Sequence, residues 1–482
     1  MQRAHVLGPT VTARTRSSRH GASSRLQALR KAATPRNLTG VCLGIALGWS
    51  IVAEPKLAVV LLAVGACLAV QAIGVRRLLV VLIVATFVTR FRIVVAGFHF
   101  MPEHVVLVAA LLSLALSTRL NRVWTVLRSP TVLLLGLFIA WATAVSFLQA
   151  PDRSASLAIA GWLALDWLIL VFALAAVDDS KTLERVGSAA AVGAAIAAIV
   201  LWALSSAGLI AFGTQQETLT GAPAAYGLSF EANILASTLA IWLFLILTGS
   251  RSNRFRAIAL SLLGTALVLS LTRAAIIGLV LGLVVWAVLE GRVARRHVLR
   301  SLAAAAVAIA ALSVFAPTVT HPFTTKLAAA TEFKSGTGRL RVESWTSALG
   351  DIHGSADALV GLGLNTFGQR HLDPTAPELD RNYYLGNMPL EIFYDTGLVG
   401  VLLLVAALAS MRPLRRARPG RAAGLIVIFL ICSIATSTFW FGSTWLLIAM
   451  AVHGRTVRER RRVPSREEPR LAVAPLADAG LA

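Results

Sequence analysis

Charge is scarce in this chain of 482 residues: Asp, Glu, Lys and Arg make up only 14% of it, where soluble domains carry about 25%. That shortage excludes an ordinary water-soluble surface. Cysteine is rarer still. Cys42, Cys67 and Cys432 all lie inside apolar runs, with no CxxC spacing and no histidine at ligand spacing. A disulfide framework and a metal knuckle are thereby excluded, and small buried apolar residues remain. No internal repeat of the kind transporters use is visible. No cleavable leader follows the polar, Arg-rich first 38 residues, and 40–52 reads as a first anchor because another apolar run follows at once.

Acids are also few: 23 against 45 Lys and Arg, a net charge of +22. The basic residues sit in short clusters between apolar runs, at 76–77, 119–128, 251–256, 292–300 and 412–421. That is the positive-inside pattern of a membrane protein. No basic run is interleaved with base-stacking aromatics, so nucleic acid is not an expected partner.

What is abundant is apolar sequence, 57% of the chain, in runs of the roughly 20 residues that cross a bilayer. The expected fold is an all-α, polytopic membrane helix bundle of about 12–14 transmembrane helices. One long extracytoplasmic loop, about 317–387, contains short helices. Residues 1–38 and 453–482 are expected to be disordered cytoplasmic tails around a membrane domain at 39–452. Expected spans are about 39–53, 56–74, 78–97, 104–118, 131–149, 154–176, 186–208, 231–249, two sharing 257–290, 298–316, 389–410 and two within 422–452. Both termini then lie in the cytoplasm, and the chain crosses the plasma membrane many times.

Charged groups near hydrocarbon are costly and need a reason. Arg90 and Arg92 sit near the outer end of the 78–97 span, where snorkelling or an anion contact would explain them. Arg273, in Ser270-Leu271-Thr272-Arg273, is held at the membrane surface by a tight turn between two spans. Glu231 and Asn233 stand at the very start of another span, after Ser229, a residue that could cap it. In the long loop, Val342, Trp345, Leu349 and Ile352 recur at helical spacing and mark one face of a helix, which would lie flat against the membrane or the bundle mouth. Thr337 is a fair cap for that helix, which puts Arg339 and Arg341 in its first turn. Two guanidiniums oppose the helix dipole there, and a bound anion would offset the repulsion.

These stretches carry a resemblance. Arg341-x3-Trp345-x2-Ala348-Leu349, followed by Gly361-Leu362-Gly363-Leu364-Asn365-Thr366-Phe367, resembles the signature loop of the O-antigen ligase/polymerase superfamily. Asn387-Met388-Pro389-Leu390 and Asp395-Thr396-Gly397-Leu398-Val399-Gly400 are similar to the segment that opens that family's next helix. Ser270-x-Thr272-Arg273 and Glu231-Ala232-Asn233 resemble two further family motifs, in the family's order.

The resemblance implies a glycosyltransferase that moves a glycan from a polyprenyl-diphosphate donor to a glycan, lipid or protein acceptor at the outer face of the membrane. It implies no cofactor and no metal. Arg341, Arg273 and neighbouring Arg339 are the implied catalytic cations, which would hold the leaving diphosphate. Glu231, Asn233, Trp345, Asn387 and Arg90 are the implied substrate-binding set. One departure stands out: where the family usually has a histidine to activate the acceptor, this chain has Gly386. His371, Asp380, Asp395 and Glu231 are the candidates to substitute for that histidine. The rival class is a transporter or flippase of lipid-linked oligosaccharide, which would need charge deep within spans. Only Asp166 offers it at mid-span.

Overall fold

In a computed structural model, the chain divides into two compact units, Met1–Ala72 and Ile73–Ala482. The structure describes residues 72–462 apart from 96–97, 118, 178–179, 217–219, 250–251, 292–293, 297, 301–302, 304–320, 323, 326–335, 372–384 and 412–418. The expected spans at 39–53, 56–74 and 298–316, and the tail 1–38, lie wholly or largely outside the described residues.

The second unit is mostly helical. In order come α1 (Val75–Ala85), a hairpin of β1 (Ile93–Val95) and β2 (Phe98–Phe100), α2 (Pro102–Ala115), α3 (Leu120–Leu127), α4 (Pro130–Gln149), α5 (Arg153–Ala176) and α6 (Ser180–Ser206). A second hairpin, β3 (Thr214–Gln216) and β4 (Pro223–Ala225), precedes α7 (Ala232–Thr248), α8 (Asn253–Leu269) and α9 (Arg273–Glu290). The long loop contributes α10 (Gly336–Gly350), α11 (Ser355–Val360) and α12 (Thr366–His371). Then follow α13 (Met388–Ser410), α14 (Pro419–Ala435), a 3-10 turn at Thr438–Trp440 and α15 (Gly442–Arg462).

The chain is polytopic. Among the described residues, five helices are long and apolar enough to cross a membrane, α4, α5, α6, α9 and α13, or six if α2 and α3 form one bent span. Three shorter apolar stretches, α7, α14 and Gly442–Val452 of α15, add to these. The expected total of 12–14 is not reached by the described helices. The largest departure is at 78–97. There α1 ends at Ala85, and the β-branched and aromatic run beyond it pairs as the β1–β2 hairpin, with Ile93 opposite Phe100. At the other end, α15 runs past Val452 into the stretch expected to be disordered.

Helix α7 is the centre of the bundle. It is apolar all round, and all but three of its residues are buried, as a helix surrounded by others requires. Helices α9 and α14 run antiparallel against each other at backbone distance. A Cβ placed on Gly282 would meet the Gly424 carbonyl at 2.7 Å, and one on Gly278 would meet the Ile428 carbonyl at 3.3 Å. Small residues permit this approach where no hydrophobic drive separates helices from lipid. The register has a consequence for the site. Moving toward the start of α9 moves toward the end of α14, so Arg273, first in α9, is brought to the Ser433–Ala435 end of α14.

The interior carries more ionisable groups than the sequence suggested. Glu103, expected in a surface turn, is fully buried at the start of α2, beside buried His104. The His104 Nε2 lies 3.5 Å from Asp166 Oδ1 on α5. The Met101 N–H donates to His104 Nδ1 at 3.3 Å, which fixes the neutral ring with its proton on Nε2, facing Asp166.

Candidate functional site

Three breaks in the bundle meet at the start of α7. The first is the entry to α7 itself. Phe230 N–H donates to Thr89 Oγ1 at 2.9 Å, and Arg90 Nη1 donates back to the Phe230 carbonyl at 3.2 Å. Arg90 also lies over the Tyr226 ring, and Arg92 over Phe230. Arg90 thus braces the loop that leads into α7.

The second break is the turn from α8 to α9. Leu271 adopts a φ of 53°, which L-residues rarely hold, and its side chain is buried against Ala224, Tyr226 and Ala232. The turn sets Thr272 before Arg273, and Thr272 Oγ1 donates to Asn233 Oδ1 at 3.3 Å. Two of the sequence motifs therefore touch through Thr272 and Asn233.

The third is the gap between α14 and α15, where Ser433, Thr436, Ser437 and Thr438 interrupt an apolar run. Thr436 Oγ1 donates to Glu231 Oε1 at 3.1 Å. The preceding carbonyl, of Ala435, accepts from Arg341 Nη2 at 2.7 Å. The loop helix is thus joined to the same place. Arg341 and Glu231 come together around residues 435–436, Asn233 is held by Thr272, and the α9–α14 register brings Arg273 to that end.

Arg339 does not join them. It is 61% exposed and pairs with Glu343 Oε1 at 3.7 Å along α10. Two residues apart on a helix is about 200° of rotation, so Arg339 and Arg341 leave α10 on different faces. The apolar stripe of α10 divides between two environments. Val342 and Leu349 are exposed, whereas Ser344 and Ala348 are buried and Trp345 packs on the Ala348, Leu362, Phe367, Leu385 and Tyr394 cluster. The helix starts at Gly336, one residue before the expected cap Thr337. None of the three arginines lines the cavity beside α8 and α9. That cavity, of about 280 Å³, is lined instead by Arg256, Arg300 and Trp286.

The rest of the loop is built for shape. Trp345 Nε1 donates to the Leu385 carbonyl at 3.2 Å. Asn387 caps α13, its Oδ1 accepting from Leu390 N–H at 3.2 Å. Helix α13 breaks at Gly397, where φ is 63°. The freed carbonyls of Tyr394, Asp395 and Thr396 accept from Leu362 N–H, Gly363 N–H and Trp141 Nε1, each at 2.9 Å. A Cβ on Gly361 would stand 2.5 Å from Gly397 N, so the two glycine motifs are contact partners. Asp395 is buried, and its Oδ2 accepts from Asn365 N–H at 3.1 Å. It holds this turn.

His371 is likewise engaged in shape. Its Nε2 is 2.7 Å from Asp351 Oδ2, its ring stacks on Phe367, and Tyr394 Oη donates to the same carboxylate at 2.6 Å. Burial alone would raise the Asp351 carboxyl. The hydrogen bonds from Tyr394 and His371, with the charges of His371 and Arg370, more than offset that and hold it below the usual carboxylate range. Asp351 follows Arg341 by ten residues, about 15 Å along a helix axis. The His371 cluster therefore sits at the opposite end of α10 from Arg341.

One residue of the junction was missed in the sequence. Glu391 on α13 is buried, and its carboxylate accepts from the Ser437 hydroxyl and, at 3.3 Å, from Trp440 Nε1. An acid in the first turns of an apolar span was the available signal.

Residues 257–405 match a family model described as O-antigen ligase, from the start of α8 to the far half of α13. No curated protein matches the chain. The matched segment contains Arg273, Arg341 and both glycine motifs, and its neighbours on either side supply Glu231 and Ala435. That domain and the polytopic helical architecture support assignment to the O-antigen ligase/polymerase superfamily of glycan-transfer proteins.

Proposed function

We propose that this protein transfers or polymerises a polyprenyl-diphosphate-linked glycan onto an acceptor hydroxyl at the outer face of a bacterial plasma membrane. Arg341 and Arg273 hold the diphosphate and stabilise its charge as it leaves. Glu231 and Asn233, on the central helix, contact sugar hydroxyls. Trp345, Asn387 and Arg90 shape the surrounding walls. Two guanidiniums supply the needed positive charge, so the reaction runs without a metal. The positive-inside pattern keeps both termini in the cytoplasm. The acceptor hydroxyl belongs to a glycan, a lipid or a protein.

The observation that supports this reading is the junction at 435–436. A loop arginine and an acid from the central helix close on one break in the membrane bundle, and the two antiparallel helices carry a second arginine to it. The test is surface glycan in cells that carry Arg341→Ala or Arg273→Ala. Both variants should insert normally and display no product glycan. Normal glycan in both would sink the proposal.

A flippase reading draws on the buried Glu103, His104 and Asp166 group. It predicts that Asp166→Asn blocks movement of the lipid-linked glycan while Arg341→Ala does not.

A further inference from the structure

The reading above supplies cations for the leaving group but no group to take the acceptor's proton. His371 stands at the far end of α10 from Arg341, and Asp395 holds the Asn365 turn through Oδ2. Glu391 also accepts two hydrogen bonds, but from donors at the junction itself. Its two donors, Ser437 and Trp440, belong to the segment whose Ala435 carbonyl receives Arg341 and whose Thr436 hydroxyl reaches Glu231. Two residues separate Ala435 from Ser437, at most about 7 Å of chain.

The chemistry of the Glu391 pocket suits a base. Its partners are a hydroxyl and an indole; among the described residues no cation is paired with it, and the charged group that faces it is the Asp395 carboxylate one turn on. A carboxylate neutralised by arginine accepts a proton poorly, whereas one held by neutral donors in a dry place keeps its basicity. The helix start provides the approach. Asn387 is the cap of α13, Gly386 precedes it, and Glu391 is the fourth residue within. Side chains at those two positions meet across the first turn. Gly386, with φ at 60°, has none to place over Glu391.

Resting on the proposed glycan transfer, we infer that Glu391 is the general base for the acceptor hydroxyl. The acceptor O–H bond breaks and its proton goes to the Glu391 carboxylate. The acceptor oxygen bonds to the anomeric carbon. The bond from that carbon to the diphosphate oxygen breaks, and its electron pair leaves on the diphosphate held by Arg341 and Arg273. Glu391 later returns the proton to water. Ser437 and Trp440 orient the carboxylate.

The test uses host membranes that contain the full chain and their own acceptor, with a short-chain polyprenyl-diphosphate oligosaccharide as donor. Glu391→Gln should lower kcat by about 10²- to 10⁴-fold, the usual worth of a general base, with little change in donor KM. It should also abolish the fall in rate on the acid side of the pH profile. Glu391→Asp should recover part of kcat and restore that acid limb. Wild-type kcat in Glu391→Gln, or an unchanged acid limb, overturns the assignment. So does a rise in donor KM that accounts for the whole loss, since a base does not bind the donor. Arg341→Ala separates the two claims. If it is inactive while Glu391→Gln is normal, only the base is wrong; if it is fully active, the underlying transfer reading fails.

Discussion

The Arg341 guanidinium ends on the Ala435 carbonyl, 2.7 Å away, and so fastens the loop helix to the last turn of α14. A backbone carbonyl uses only part of a five-donor fork. Lysine at this position keeps the charge but cannot reach carbonyl and phosphate together in the same plane. Arg341→Lys should therefore retain membrane insertion and lose most transfer, measured as product glycan per unit of inserted protein.

Arg339 is the internal control. It carries the same charge two residues away, yet faces outward to Glu343. Exposed pairs of this kind contribute at most about 0.5 kcal/mol. Arg339→Ala should transfer glycan at close to the wild-type rate. A loss as deep as that of Arg341→Ala would mean that charge near the loop matters and the Ala435 junction does not.

Gly397 and Gly361 should tolerate no side chain. A Cβ on Gly397 would stand 2.6 Å from Gly361 N, in a backbone conformation that already disfavours L-residues. Gly397→Ala should cost about 2–4 kcal/mol through strain and collision together. Thermal unfolding of the purified protein in detergent would register it, and an unchanged midpoint would refute the packing described.

Asp351 should make the loop acid-sensitive. Its folded carboxyl lies below the ordinary range, while unfolded it titrates near about pH 4. The stabilisation is thus complete above that pH and disappears as the pH falls through the lower, folded value. Proteolysis of the loop should accelerate over that acid window in the wild type. Asp351→Asn should be cut at a rate that no longer changes there.

Much of this architecture was legible in the sequence, and the exceptions share a cause. The turn at Thr272-Arg273, the start of α13 and the break after Ala435 were readable because polar or turn-forming residues interrupt apolar runs there. The β1–β2 hairpin was not, because Ile, Val and Phe suit a membrane helix and a strand alike. Which face of α10 is buried was not fixed by the sequence for a related reason. Periodicity reveals that a helix has two faces, but next to a membrane the apolar one need not be the buried one, as exposed Val342 and Leu349 demonstrate. Glu391 left only the trace of an acid in an apolar span; its partners, like the touching of Thr272 and Asn233, could not be seen, since both depend on which helix ends meet in space.

The central claim is that Arg341 binds the diphosphate of the donor. The most direct measurement is the affinity of the purified protein in lipid nanodiscs for a short-chain polyprenyl-diphosphate oligosaccharide, with Arg341→Ala beside the wild type. Loss of a charge-assisted contact of about 1.5–3 kcal/mol should weaken binding roughly 10- to 150-fold. Equal affinity in the two proteins, with both correctly folded, would contradict the account.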